Sequence, residues 1–148
     1  MPQLSIMVID DDPGIRETLS DILADWGYSV KTFEKGNEAL RAYAKNPVGA
    51  LLADIKLPDI SGLQVLQSAR EINPDVAIVI MTGHASLENA VQAMNQGANA
   101  YIVKPLNMEE LKVILKKAYR EIRLAQENKR LIDRLQLSNR NVERAKEE

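Results

Sequence analysis

Ala50-Leu51-Leu52-Ala53-Asp54-Ile55-Lys56-Leu57-Pro58-Asp59-Ile60-Ser61-Gly62 holds a sharp change of character within thirteen residues. An uncharged apolar run ends on a carboxylate, and a Pro/Asp/Ser/Gly cluster follows. Apolar runs of this length bounded by turn residues are strands buried on both faces. Asp54 therefore stands where a parallel strand leaves its sheet, the edge at which open α/β sheets usually bind ligands. Alone, such an Asp is most simply a turn cap. Partners supplied by three other strand ends change that reading.

Upstream, Leu4-Ser5-Ile6-Met7-Val8-Ile9 is a second buried-strand pattern, running into Asp10-Asp11-Asp12-Pro13-Gly14. Asp12 followed by Pro13 predicts a helix start, with an Asp N-cap and Pro at the first helical position. That helix buries Ile15, Leu19, Ile22, Leu23 and Trp26 at spacings of three and four and stops at Gly27. Asp12 thus has a structural reason to exist. Asp10 and Asp11 do not, and adjacent carboxylates repel unless a cation sits among them. Tyr28–Phe33 alternates as a more exposed strand, and Asn37–Lys45 reads as a helix with Ala39, Leu40, Tyr43 and Ala44 on one side.

Downstream of Gly62, a helix carries Leu63, Val65, Leu66 and Ala69 as far as Asn73-Pro74. Val76–Met81 is the most apolar strand and ends on Thr82-Gly83-His84-Ala85. Ser86 is the expected N-cap of a helix over Leu87–Asn95, closed by Gln96-Gly97-Ala98. Asn99–Val103 is the fifth strand, ending on Lys104-Pro105. Met81, Met94 and Met108 read as core or gap-filling residues.

Five βα units in strict alternation predict an α/β fold, a doubly wound parallel sheet between helices. Right-handed crossovers favour the flavodoxin-like order 2-1-3-4-5. In that order Asp10, Asp11, Asp54, Thr82 and Lys104 arrive at one edge from strands 1, 3, 4 and 5. Strand 2 brings no such residue and lies outermost.

Composition agrees and sets a second boundary. The 148 residues are 45% apolar and 27% charged with a formal charge of -2, ordinary for a soluble globular chain. Without Cys there are no disulfides, thiolate zinc sites or Cys nucleophiles, and the single His84 forms no multi-histidine metal site. No apolar stretch approaches the roughly 20 residues of a membrane span. Met1-Pro2-Gln3 lacks the charged start of a signal peptide, so a cytoplasmic location is expected. All seven Gly and all six Pro precede residue 106, whereas 19 of the 42 residues in 107–148 are charged. Net charge changes from -5 over 1–106 to +3 over 107–148. The second part is punctuated like one long helix.

Three carboxylates, a hydroxyl and a lysine suit neither acyl nor hydride transfer, because Thr82 has no His base and no Gly-rich dinucleotide loop follows the first strand. They suit phosphoryl transfer to a carboxylate. An ionised Asp54 needs no base. Mg²⁺ held by Asp11 and Asp54, with Asp10 supporting, would offset repulsion and neutralise phosphoryl charge. Lys104 offers a point charge to a phosphoryl oxygen, and Thr82 a hydrogen bond to another.

From Leu4 to about residue 122 the chain resembles the receiver domain of two-component response regulators. The resemblance is carried by Val8-Ile9-Asp10-Asp11-Asp12, by Asp54 with Leu57-Pro58-Asp59-Ile60-Ser61-Gly62-Leu63, by Met81-Thr82-Gly83-His84, and by Tyr101-Ile102-Val103-Lys104-Pro105. Each motif is weak alone; together, in this order, they are specific. The resemblance implies phosphorylation of Asp54 by a histidine kinase with Mg²⁺ or Mn²⁺, and a further metal ligand in the Lys56 backbone carbonyl. It also implies a cis Lys104-Pro105 bond and a switch pair, Thr82 and Tyr101. Lys56 and His84, at the two positions that vary in the family, would tune phosphoryl lifetime. The Pro58–Gly62 loop and Thr-Gly-His-Ala most resemble the enhancer-binding activator branch. Such a chain is a phosphoacceptor that assists its own phosphorylation and dephosphorylation without turnover.

Three other readings compete. A haloacid-dehalogenase-like phosphatase needs a second Asp where Lys56 stands, a flavin binder needs a hydroxyl-rich loop in place of Asp10–Asp12, and an interaction module needs a degenerate site. The expected organisation is a phosphoacceptor receiver domain over 1–122 and a helical linker over 123–148. In the helix, Leu111, Leu115, Ala118, Ile122 and Ala125 suit packing on the domain. From Leu124 a heptad stripe runs through Asn128, Leu131, Leu135, Ser138, Val142 and Ala145, which predicts a coiled-coil homodimer. Acids at Glu121, Glu127, Asp133 and Glu143 interrupt the Lys/Arg there, so direct nucleic-acid binding by this chain is not expected, nor is a membrane partner.

Overall fold

The computed structural model describes residues 4–83 and 86–147, with side chains of the last helix described as far as residue 139. Five βα units follow one another: β1 (Ser5–Ile9), α1 (Pro13–Asp25), β2 (Ser29–Phe33), α2 (Gly36–Lys45), β3 (Ala50–Asp54), α3 (Gly62–Ile72), β4 (Ala77–Thr82), α4 (Leu87–Asn95), β5 (Ala100–Val103) and α5 (Met108–Glu147). All pairings are parallel and the strand order is β2-β1-β3-β4-β5. Two-residue alternation sorts the side chains between two cores. Met7, Ile9, Leu51, Ala53, Ile78 and Ile80 meet α2, α3 and α4 on one face. Ile6, Val8, Leu52, Val79 and Met81 meet α1 and α5 on the other. β3 and β4 are buried along their whole length, as central strands covered by helices on both faces must be.

Local signals behave as the residue types demand. The Asp12 carboxylate accepts from the N–H groups of Gly14 and Ile15 and caps α1 ahead of Pro13. Ser61 and Gln64 form a reciprocal capping box on α3, and the Ser86 hydroxyl accepts from Asn89 N–H at α4. Gly27 and Gly97, both with positive φ, end α1 and α4. Three expected packing residues lie elsewhere. Ala44 is exposed, and Gly36 joins Ala39 and Tyr43 on the buried face of α2. Met94 is 51% exposed on α4, so it fills no core. Ala125 is exposed, because the packed stripe of α5 ends with the half-buried Ile122.

α5 has two regimes. Leu111, Leu115 and Ala118 are buried against the sheet, the Tyr119 ring stacks on Tyr28 at 5.5 Å, and the Tyr119 hydroxyl donates to the Ser5 carbonyl at 2.6 Å. Burial pushes the Tyr119 hydroxyl pKa well up, so it remains a donor. Lys112 sits over the Trp26 ring, 5.6 Å from its centroid. From residue 123 to 139 every side chain is exposed. No described helix is long and apolar enough to cross a membrane.

Candidate functional site

The C-terminal ends of β1, β3, β4 and β5 bring Asp10, Asp11, Asp54, Lys56, Thr82 and Lys104 around one cleft of about 320 Å³. Asp10 and Thr82 are buried, Asp54 is 8% exposed, and Asp11 faces solvent. A carboxylate oxygen from each of Asp10, Asp11 and Asp54 lies within 4.8 Å of the others. Lys104 Nζ donates to Asp10 Oδ2 at 2.6 Å and to Asp54 Oδ2 at 2.7 Å.

Each group is held by backbone. Asp10 Oδ1 accepts from Asp12 N–H at 2.9 Å, and Asp54 Oδ1 from Lys56 N–H at 3.1 Å. Lys104 N–H donates to the Thr82 carbonyl at 2.8 Å, which fixes the end of β5 against β4. The Lys104-Pro105 bond is cis, as expected. Gly62 is required where α3 begins, since a methyl group there would clash with the Asp54 carbonyl oxygen.

Burial pushes the Asp10 carboxyl above its usual range, against the opposing pull of Lys104 and the Asp12 N–H. Burial lowers Lys104 in turn, but its bonds to Asp10 and Asp54 outweigh that and raise it, so it stays an ammonium. Three carboxyl groups lie within reach of one another, and among the described residues Lys104 is the cation ion-paired to them. The donor set is entirely hard oxygen, which fits Mg²⁺ or Mn²⁺ and disfavours softer metals.

Tyr101 lies apart from the cleft. It is half-buried, pairs with Ile80 on β4, and packs on the core facing α2, α3 and α4. Its hydroxyl is buried with no hydrogen-bond partner among the described residues. Thr82 is in phase with Ile78 and Ile80, so it and Tyr101 share that face. His84 lies outside the described residues.

Two site neighbours escape a reading of the residues in order. Arg16 Nη1 donates to the Asp10 carbonyl at 2.6 Å, a reach back over six residues that no local pattern announces. Asp59 accepts from the first N–H groups of α2. The one signal for it is Lys35, a poor N-cap type where that helix begins.

A model of the response regulator receiver domain matches residues 6–116. The chain is 39% identical over 113 residues to the DNA-binding transcriptional regulator NtrC of Salmonella typhimurium, a match covering 76% of this chain and 24% of the relative. It is 34% identical over 143 residues to a putative response regulator NtrX-like protein of Rickettsia typhi, covering 93% of this chain and 30% of the relative. The chain thus spans less than a third of the length of either. Among solved structures, the beryllofluoride-activated NtrC4 receiver domain dimer superposes with a TM-score of 0.76 at 30% identity, over 80% of this chain and 98% of that one. With fold, motifs and site geometry in agreement, the chain belongs to the response regulator receiver domain family of two-component signalling.

Proposed function

We propose that Asp54 is the phosphoacceptor of this receiver and takes its phosphoryl group from a phosphohistidine on a sensor histidine kinase. The observation that supports this most directly is the pairing of Asp54 with Lys104 beside Asp10 and Asp11 in one cleft. An Asp54 carboxylate oxygen attacks phosphorus, the P–N bond to the kinase imidazole breaks, and an acyl phosphate forms while the imidazole leaves with a proton from solvent. Asp10, Asp11, Asp54 and the Lys56 carbonyl are the residues to hold Mg²⁺ or Mn²⁺, which when bound neutralises phosphoryl charge. Lys104 is already aimed at Asp54 and pairs with a phosphoryl oxygen. Thr82 supplies its hydroxyl, and the shared face lets Tyr101 follow it as the switch. Catalysis by the chain is positioning and electrostatics, without turnover. Lys56 and His84 tune the later hydrolysis. The setting is the cytoplasm, and this chain makes no direct nucleic-acid contact.

Residues 123–148 act as a helical linker that pairs with a second copy. Leu124, Leu131 and Leu135 are 48%, 54% and 64% exposed on one stripe with Asn128 and Ser138. Val142 and Ala145 lie outside the residues whose side chains are described. Unpaired, such a stripe leaves large apolar groups in water; paired as a heptad seam it buries them.

Incubation with acetyl phosphate and Mg²⁺ tests the phosphoacceptor. The parent chain is expected to be labelled, with loss of labelling in Asp54→Asn and on removal of Mg²⁺. Undiminished labelling of Asp54→Asn would sink the assignment. Light scattering tests the linker: a dimer is expected at tens of micromolar and a monomer for the Leu131→Asp, Leu135→Asp double variant. An unchanged mass in the double variant would move the interface elsewhere.

A further inference from the structure

α2 begins without a cap of its own. Lys35 holds the N-cap position, and its side chain makes no capping bond. The first N–H groups of a helix have no partner inside it. Those of Gly36 and Asn37 donate at 2.9 Å each to the two carboxylate oxygens of Asp59, on the loop between β3 and α3. Asp59 Oδ1 also accepts from its neighbour Ile60 N–H at 2.9 Å. One side chain thus ties the loop to α2 through both oxygens, with its charge at the positive end of the helix.

The junction is close-fitting. A methyl group on Gly36 would lie 2.6 Å from Ile60 Cγ1 and 2.9 Å from Val65 Cγ2, so the loop reaches α2 because this residue has no side chain. The ends of the loop are held independently. Ile55 N–H donates to the Met81 carbonyl, Lys56 N–H to Asp54, and Gly62 N–H to the Ile55 carbonyl. Between Lys56 and Ser61, among the described residues, the hydrogen bonds that reach another element are those of Asp59. The start of α2 is in turn linked to the acidic cluster, since Asp10 N–H donates at 3.0 Å to the carbonyl of Phe33, the last residue of β2.

We infer that Asp59 is a positioning residue for the metal: by clamping the loop to the N-terminus of α2, it holds the Lys56–Leu57 peptide, which carries the Lys56 carbonyl and lies past the last independent bond at Lys56 N–H, beside Asp10 and Asp11. This rests on the reading of the Lys56 carbonyl as a ligand. Asp59 touches neither the cleft nor its carboxylates, so its effect passes through the loop. A residue that merely capped α2 would change stability and leave metal affinity alone.

Calorimetric titration of the full chain with Mg²⁺, beside thermal melts, separates the two. Asp59→Ala is expected to weaken Mg²⁺ binding by about tenfold, the low end for residues that orient metal ligands. Asp59→Asn, which keeps one carbonyl acceptor, falls between Asp59→Ala and the parent, and decides the matter if Asp59→Ala does not fold. Arg70→Ala serves as control. It removes bonds to Pro74, Gly97 and Asn99 at the opposite edge of the sheet, and is expected to lower the melting temperature with parental Mg²⁺ affinity. Parental affinity in both Asp59 variants overturns the inference. So does a loss in Arg70→Ala equal to that in Asp59→Ala, which would mean general loosening. A parent chain that binds no Mg²⁺ overturns the metal reading itself, and is distinguished by failing before any substitution.

Discussion

At the N-terminal edge of the sheet, polar side chains are occupied by backbone. Arg70 donates to the carbonyls of Pro74 and Gly97, the Asn99 side-chain oxygen accepts from Arg70 and from Ile78 N–H, and Tyr119 donates to Ser5. At the C-terminal edge of the same strands, Lys104 is shared between Asp10 and Asp54, and Asp11 faces solvent close to both. The first arrangement ties side chains of Arg70, Asn99 and Tyr119 to backbone groups without bringing like charges together. The second gathers like charges that repel and leaves charge for a cation to balance. Folding alone explains the first edge; the second is arranged at some cost to stability, as sites commonly are.

Lys104→Met is the strongest way to break this contrast. It removes the cation from Asp10 and Asp54, so labelling from acetyl phosphate is expected to fall by about 10²–10³, the usual cost of a lost transition-state donor. Mg²⁺ affinity should not fall with it, because Lys104 competes with the metal for the same oxygens. A parallel loss of both would make Lys104 a structural pin. Asp11→Asn is the converse. Asp11 is exposed and makes no ion pair among the described residues, so its loss should weaken Mg²⁺ binding by more than about tenfold. The melting temperature without metal should be unchanged or raised, since a repelling charge has gone.

A smaller change at the other edge sharpens the comparison. Tyr119→Phe deletes the hydroxyl that donates to the Ser5 carbonyl and keeps the ring on Tyr28. The expected loss is about 1–1.5 kcal/mol, or a melting shift of several degrees, with labelling of Asp54 unchanged. Reduced labelling in the folded variant would show that the two edges communicate through α5.

The two edges also differ in how much of them can be read along the chain. β3 and β4 announce themselves, because strands covered on both faces must be continuously apolar, and Asp10, Asp11, Asp54, Thr82 and Lys104 each stand where such a run stops. Strand order then brings them together. Tyr119 and Ser5 are 114 residues apart, and a Tyr on a helix gives no sign of which distant carbonyl it meets. Asp59 is hidden for the same reason, having its partners 22 and 23 residues upstream. Helical spacing alone puts Ala44 on the buried face of α2, because it does not say that Gly36 comes against Ile60 and takes a place on that face. Beyond Ile122 the periodic stripe is legible, but Ile132 and Leu137 are exposed off that stripe, 54% and 60%, with no packing that the heptad explains.

The smallest expected effect is a pH dependence at Asp59. Loss of hydration raises its carboxyl pKa, but the N–H groups of Asn37, Gly36 and Ile60 overcome this and hold it below the ordinary carboxylate value. A group whose folded pKa is lowered contributes stability that is present above its unfolded value, near about 3.9, and lost as pH falls through the folded value. Asp59→Asn carries no such charge. The difference in urea midpoint between parent and Asp59→Asn should therefore be steady near neutral pH and shrink from about pH 5 downward. Every other carboxylate is common to both chains, so to first order the rest cancel from the difference. Asp59 is exposed, so water screens the effect and keeps it small. A difference that stays constant, or grows, as pH falls would mean that the carboxylate is not ionised against α2. The tie between the loop and the helix would then be a matter of shape at Gly36 and Ile60 alone.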